Sequence, residues 1–69
     1  MAKVIQINKL DGIYYHVSHN PNNGDVTMTT EIEKAAVYES DWDLTFIPMI
    51  IKIIKYKHPV ATITAINTK

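Results

Sequence analysis

The sequence predicts an α+β domain in which a small antiparallel sheet, a meander plus a C-terminal strand, carries one long amphipathic helix on one face. Three observations carry that expectation. Residues 45–57, Thr-Phe-Ile-Pro-Met-Ile-Ile-Lys-Ile-Ile-Lys-Tyr-Lys, hold the densest run of large apolar side chains and repeat with a helical period. Ahead of them, three β-type runs are punctuated by Asp11-Gly12 and by Asn20-Pro21-Asn22-Asn23-Gly24, whose residues all favour turns. Behind them, residues 60–67 follow Pro59 and are rich in β-branched side chains.

Residues 3–9 and 13–19 read as strands joined at Leu10-Asp11-Gly12. A three-residue turn with Gly12 left-handed is preferred over a two-residue Asp-Gly turn, because it pairs Ile7 with Tyr15 and Ile5 with Val17 on one apolar face. A third strand, residues 25–29, alternates Val26 and Met28 with Thr27 and Thr29, as suits a sheet with one wet face. Thr30-Glu31-Ile32-Glu33 matches a capping box and is expected to open about one helical turn. Residues 35–38 fit a short edge strand or an extension of that helix.

Within residues 45–57, steps of about 100° place Phe46, Ile47, Ile50, Ile51, Ile53 and Ile54 on one arc and Thr45, Pro48, Lys52 and Lys55 opposite. Met49 and Tyr56 flank the lysine stripe, so apolar character extends further round than one sheet can cover. Pro48 is harmless in a first turn capped by Thr45; an earlier start capped by Ser40 or Asp41 would leave a kink at Pro48. Lys55, Lys57 and His58 suit the carbonyl end, and Pro59 stops the helix. The last strand has two partly apolar faces, which suits a central position or an interface between chains.

Size limits what such a chain does alone. A single domain spanning residues 1–69 buries roughly 60% of its unfolded surface and is marginally stable. It has no cysteine for a disulfide, and the hydrophobic share is 46%, so self-association or a permanent partner is expected to supply stability. The amino-terminal residues lack a signal-peptide core, and Pro48, Lys52 and Lys55 interrupt the isoleucine run, so a cytoplasmic location without membrane contact is expected. Net charge is zero but segregated. Residues 31–43 carry Glu31, Glu33, Glu39, Asp41 and Asp43 against Lys34, whereas residues 44–69 carry Lys52, Lys55, Lys57 and Lys69 and no acid. This is either a pair of solvated faces or electrostatic matching between chains.

Few residues suggest chemistry. His16 and His19, three apart on a strand, are expected on opposite faces and so form no metal pair. Glu39, Asp41 and Asp43 around Trp42 could serve as an acid/base set only in a pocket that a chain this short has little room to build. As an anchor at a protein interface the same group is better suited. No nucleophile elbow surrounds Ser18 or Ser40, and Gly12 and Gly24 belong to turns. Tyr14, Tyr15 and His16 near Lys3 and Lys9 could form a base-stacking platform, against which stand the neutral charge and the lack of arginine.

Asp11-Gly12-Ile13-Tyr14-Tyr15, followed by Glu33-Lys34-Ala35-Ala36-Val37-Tyr38-Glu39-Ser40, resembles a pattern in small uncharacterised accessory proteins of phages and prophages from low-GC Gram-positive bacteria. Pro48 and the isoleucine-dense helix depart from that pattern. The resemblance implies a context, host cytoplasm and blockade of a host enzyme or defence component, and no site residues. The expectation is therefore a non-enzymatic, homo-oligomeric binding protein with a protein partner. Trp42, Asp41, Asp43 and Glu39 are assigned to the partner; Phe46, Met49, Ile53, Tyr56 and Ile63 are assigned to self-association. No catalytic, cofactor-binding or metal-binding residue is assigned. The alternatives are a nucleic-acid-associated regulatory module using the tyrosine-bearing hairpin and a small-molecule sponge at a subunit interface.

Overall fold

Four strands form one antiparallel sheet in the order β3-β2-β1-β4, in a computed structural model that describes residues 2–20 and 22–68. They are β1 (Lys3–Lys9), β2 (Gly12–His19), β3 (Val26–Thr29) and β4 (Thr62–Asn67). Pro21 of the turn cluster and Lys69 of the basic half lie outside the described residues. The first three strands form the expected meander, and the last returns beside β1 with Ile7 opposite Ile63 and Ile5 opposite Ala65. Strand alternation sends Ile5 and Ile7 to one face, where both are fully buried with Ile47, Ile50, Ile54 and Ala61.

The hairpin register differs from the expected one. Lys9 pairs with Gly12, Asn8 with Ile13 and Ile7 with Tyr14, so the loop is Leu10-Asp11. Gly12, at φ +151°, begins the strand instead of closing the turn. One residue of slip exchanges the faces. Tyr14 joins the core, while Ile13 faces out and Leu10 is 99% exposed at the tip. The expected register put Leu10 in the turn and Ile13, Tyr15 and Val17 on the core face; Leu10 is indeed in the loop, but Tyr14 replaces Ile13 and Tyr15 beside Ile7.

The expected long helix is two pieces. Helix α1 (Asp41–Thr45) starts where Ser40 Oγ accepts from the Asp43 N–H at 3.0 Å, a cap that contributes about 1 kcal/mol. Helix α2 (Ile47–Lys57) has 11 residues and starts from Phe46. Pro48 has no N–H to offer the Leu44 carbonyl, so the ladder breaks and Phe46 N donates at 3.1 Å to Asp43 O in a tighter turn. The earlier start capped by Ser40 is the one adopted, not the one capped by Thr45. Phe46 itself stays in the right-handed helical region, so the spiral runs on through the break. At the far end His58 N donates to Ile54 O at 2.9 Å, and Lys55 Nζ donates to Ala61 O at 2.7 Å, fastening the turn that leads into β4.

Beyond its pairing with β1, strand β2 parts from it, and residues 36–38 enter the fork. Ala36 N donates to His16 O (3.0 Å), while Lys3 and Tyr38 exchange both backbone bonds at 2.9 and 2.8 Å. Residues 35–38 are therefore extended. The capping box does not form: a short 3-10 turn (Ile32–Lys34) follows Glu31, whose N–H is taken by Thr29 Oγ1 at 3.1 Å. Gly24, at φ +76°, closes the β2–β3 turn with its N–H on Asn20 O. Strand β4 pairs with β1 alone and is an edge of the sheet, not its centre.

Candidate interaction surface

Residues 42, 46, 49, 53 and 56 recur at alternating steps of four and three, the spacing of a heptad seam, across both helices. Their exposure follows from the other face of α2. Ile47, Ile50 and Ile54 are drawn onto the sheet, which turns the seam toward solvent. Trp42 is 73% exposed, Phe46 36%, Met49 51% and Tyr56 87%; Ile53 is half-buried among them. Trp42 and Phe46 meet edge to face with ring centroids 5.1 Å apart, which joins α1 to the residue that starts α2. Met49, Ile53 and Tyr56 form one wall of an open groove of about 450 Å³ whose other wall is Asn22, Asn23 and Gly24, with Lys52 at its side.

The two residue sets expected to serve different partners are thus largely one surface. Trp42, assigned to a partner, stacks on Phe46, assigned to self-association. Ile63 lies on β4 and lines a second groove with Pro48, Ile51 and Lys55, which shares Tyr56 and Lys52 with the first. Asp41 and Asp43 stand in the first turn of α1, where the helix dipole favours acids, and Glu39 precedes them, exposed. Lys55 and Lys57 stand in the last turn of α2. Lys57 Nζ also lies 3.4 Å from Asp25 Oδ1, an exposed pair worth little to stability. The rod formed by α1 and α2 is acidic at its beginning and basic at its end.

A second feature was missed from sequence. The β2–β3 register shifts between His16, opposite Met28, and Ser18, opposite Thr27, and this bulge turns His19 to the same face as His16. His16 Nε2 lies 3.1 Å from His19 Nδ1, and Tyr38 Oη lies 3.2 Å from His16 Nδ1. The expectation of opposite faces is therefore wrong, since it presumed an unbroken period of two. No sequence signal at Val17-Ser18 marks the extra residue. His16 is only 1% exposed, and burial, aided by the neighbouring His19, lowers its pKa to about 4. Burial, then the Asp43 charge, raises the Tyr38 pKa, so its hydroxyl keeps its proton. With Tyr38 donating to Nδ1, a neutral His16 carries its proton on Nε2 and donates it to His19, which satisfies all three groups.

The hairpin does not assemble a stacking platform. Tyr14 and His16 lie on the helix-covered side with Met28, whereas Tyr15 pairs with Gln6 and Thr29 on the other. Lys9 Nζ sits 5.3 Å from the Tyr14 ring centroid, an intramolecular cation–π contact. Among the described residues no group of three or more His, Asp or Glu side chains is placed to hold a metal ion, and no helix is long and apolar enough to cross a membrane. Comparison of the chain with family profiles, with characterised proteins and with solved structures finds no match.

Proposed function

We propose that this chain is a non-enzymatic binding protein that acts by occupying a surface of another macromolecule, with the Trp42 end of the helical rod as its anchor. The observation that carries the reading is the row of exposed aromatic and aliphatic side chains at heptad spacing, from the Trp42–Phe46 pair to the Met49, Ile53 and Tyr56 wall of the groove, with Asp41 and Asp43 at its start. Large exposed apolar patches with a polar rim are characteristic of interaction sites, and tryptophan and tyrosine dominate their energetics. The buried polar cluster supports the same reading from the other side. His16 has both ring nitrogens engaged and almost no solvent contact, so it serves the fold and leaves no base open to a substrate. A role of the phage-accessory kind, in blocking or sequestering a host defence component, rests on the sequence resemblance; a cytoplasmic location rests on the amino-terminal residues and the interrupted isoleucine run, and a protein partner on the acidic Trp42 segment.

Affinity capture from a lysate of a low-GC Gram-positive host tests the reading, with the native chain and Trp42→Ala compared as baits. The expected result is a discrete protein retained by the native chain and reduced at least about tenfold with Trp42→Ala, the effect of losing one interface hot spot. Equal retention by the two baits, or retention of nucleic acid instead of protein with a steep loss on adding salt, would contradict it.

A further inference from the structure

The seam has a feature that a general interaction surface does not need: its charges are arranged so that the rod is complementary to itself when reversed. We propose that a second copy of this chain docks on it, the two α1–α2 rods packing antiparallel about a two-fold axis that passes beside Met49. The inference rests on the reading of the chain as a protein that works by surface contact, and names a second copy as the occupant of the seam when no other macromolecule is present, the two competing for Trp42.

Three observations converge. The alternating four and three spacing of Trp42, Phe46, Met49, Ile53 and Tyr56 is the pattern by which one helix meets another along a shallow crossing, whereas contact with a sheet calls for the broad arc that Ile47, Ile50 and Ile54 already supply. Trp42 and Tyr56 stand seven residues either side of Met49, and Phe46 and Ile53 three and four, so the seam reverses onto itself to within one residue. Reversing one copy therefore sets Met49 on Met49 and Trp42 on Tyr56, with Phe46 and Ile53 meeting one residue out of step between them. Finally, Asp41 and Asp43 open the rod while Lys55 and Lys57 end it. In the antiparallel arrangement Asp43 flanks Lys57 of the other copy at each end; in the parallel one acid meets acid and base meets base. A closed isologous contact of this kind stops at two copies.

An interface of five apolar side chains a copy is at the small end of specific contacts, and a dissociation constant on the order of micromolar is expected. Sedimentation equilibrium of the intact chain from about 1 to 100 μM reads it directly. The mass is expected to rise from 7.9 kDa toward twice that value. Met49→Glu places two like charges on the axis and should weaken association by about a hundredfold or more. Asp43→Lys and Lys57→Glu should each weaken it about tenfold, and the two together in one chain should restore it. Tyr56→Glu, at the most exposed position of the seam, supplies the same reading should Met49→Glu not fold by circular dichroism. A native chain that stays at 7.9 kDa throughout the range, or a dimer indifferent to both glutamates, overturns the docking; a charge swap that does not restore association overturns the antiparallel orientation. A monomer that still captures a protein through Trp42 would sink this inference and leave the binding reading standing.

Discussion

His16 is held as a buried neutral imidazole, with Tyr38 on one ring nitrogen and His19 on the other, so adding a proton breaks a hydrogen bond and buries a charge beside a second histidine. Its pKa of about 4 in the folded chain lies below the ordinary value of 6.5, so between these the unfolded chain binds more protons. Stability is full above about pH 6.5 and falls as the pH drops toward 4, by on the order of 3 kcal/mol. Urea unfolding at pH 7 and pH 4.5 is expected to show that loss, and His16→Gln, which cannot titrate, should show a distinctly smaller one. Equal losses in the two proteins would place the pH sensitivity elsewhere. This cluster was illegible in the sequence, because three residues apart means opposite faces on a regular strand and only the bulge after His16 brings the rings together. Tyr38, 22 residues away, joins only because residues 36–38 fill the fork between β1 and β2.

The helical elements divide their apolar residues between two duties. Ile54 is fully buried against Ile5 and Ile7, so Ile54→Ala should lower stability by about 2–5 kcal/mol in chemical denaturation. Met49→Ala, on the seam, should change the stability of the dilute chain by no more than about 0.5 kcal/mol. Comparable losses at the two sites would mean that the seam is part of the core. Periodicity made α2 readable, because isoleucines at 47, 50 and 54 outweigh their β preference. The excess of apolar surface was readable as well, from Met49 and Tyr56 standing beside Lys52. What failed was local. Thr30 did not cap its turn, and the hairpin slipped by one residue because Gly12 pairs with Lys9 as the first residue of its strand instead of closing a three-residue turn. The seam through Trp42 was hidden by treating Pro48 as a boundary, although Phe46 carries the helical path across it.

Across the whole molecule the two faces of the sheet contrast. One lies under α2; the other presents Gln6, Asn8, Tyr15, Thr29, Thr62 and Thr64 over much of its area, while Val4, opposite Ile66, is fully buried on it and Ile13 is exposed. Exposed apolar side chains line the outer side of the helical rod, where the segregated charges read from the sequence become its two ends; Leu10 and Val60 are exposed apart from it, in a groove of their own. The alternation of Val26 and Met28 with threonines, and the segregation of acids before residue 44 from lysines after it, made this arrangement partly legible. The place of β4 at the sheet edge was not, because partly apolar residues on both its faces, such as Ile63 and Ile66, also describe a central strand. Trp42 is the single tryptophan of the chain and stands at the acidic end of the seam, so its fluorescence reports the seam and no other region. The most direct measurement follows its emission and its quenching by acrylamide as the native chain is concentrated. A solvent-exposed signal in dilute solution that moves to shorter wavelength and becomes protected with concentration is the predicted result. A signal already shielded at the lowest concentration, or one that stays exposed and unchanged at the highest, would contradict the account.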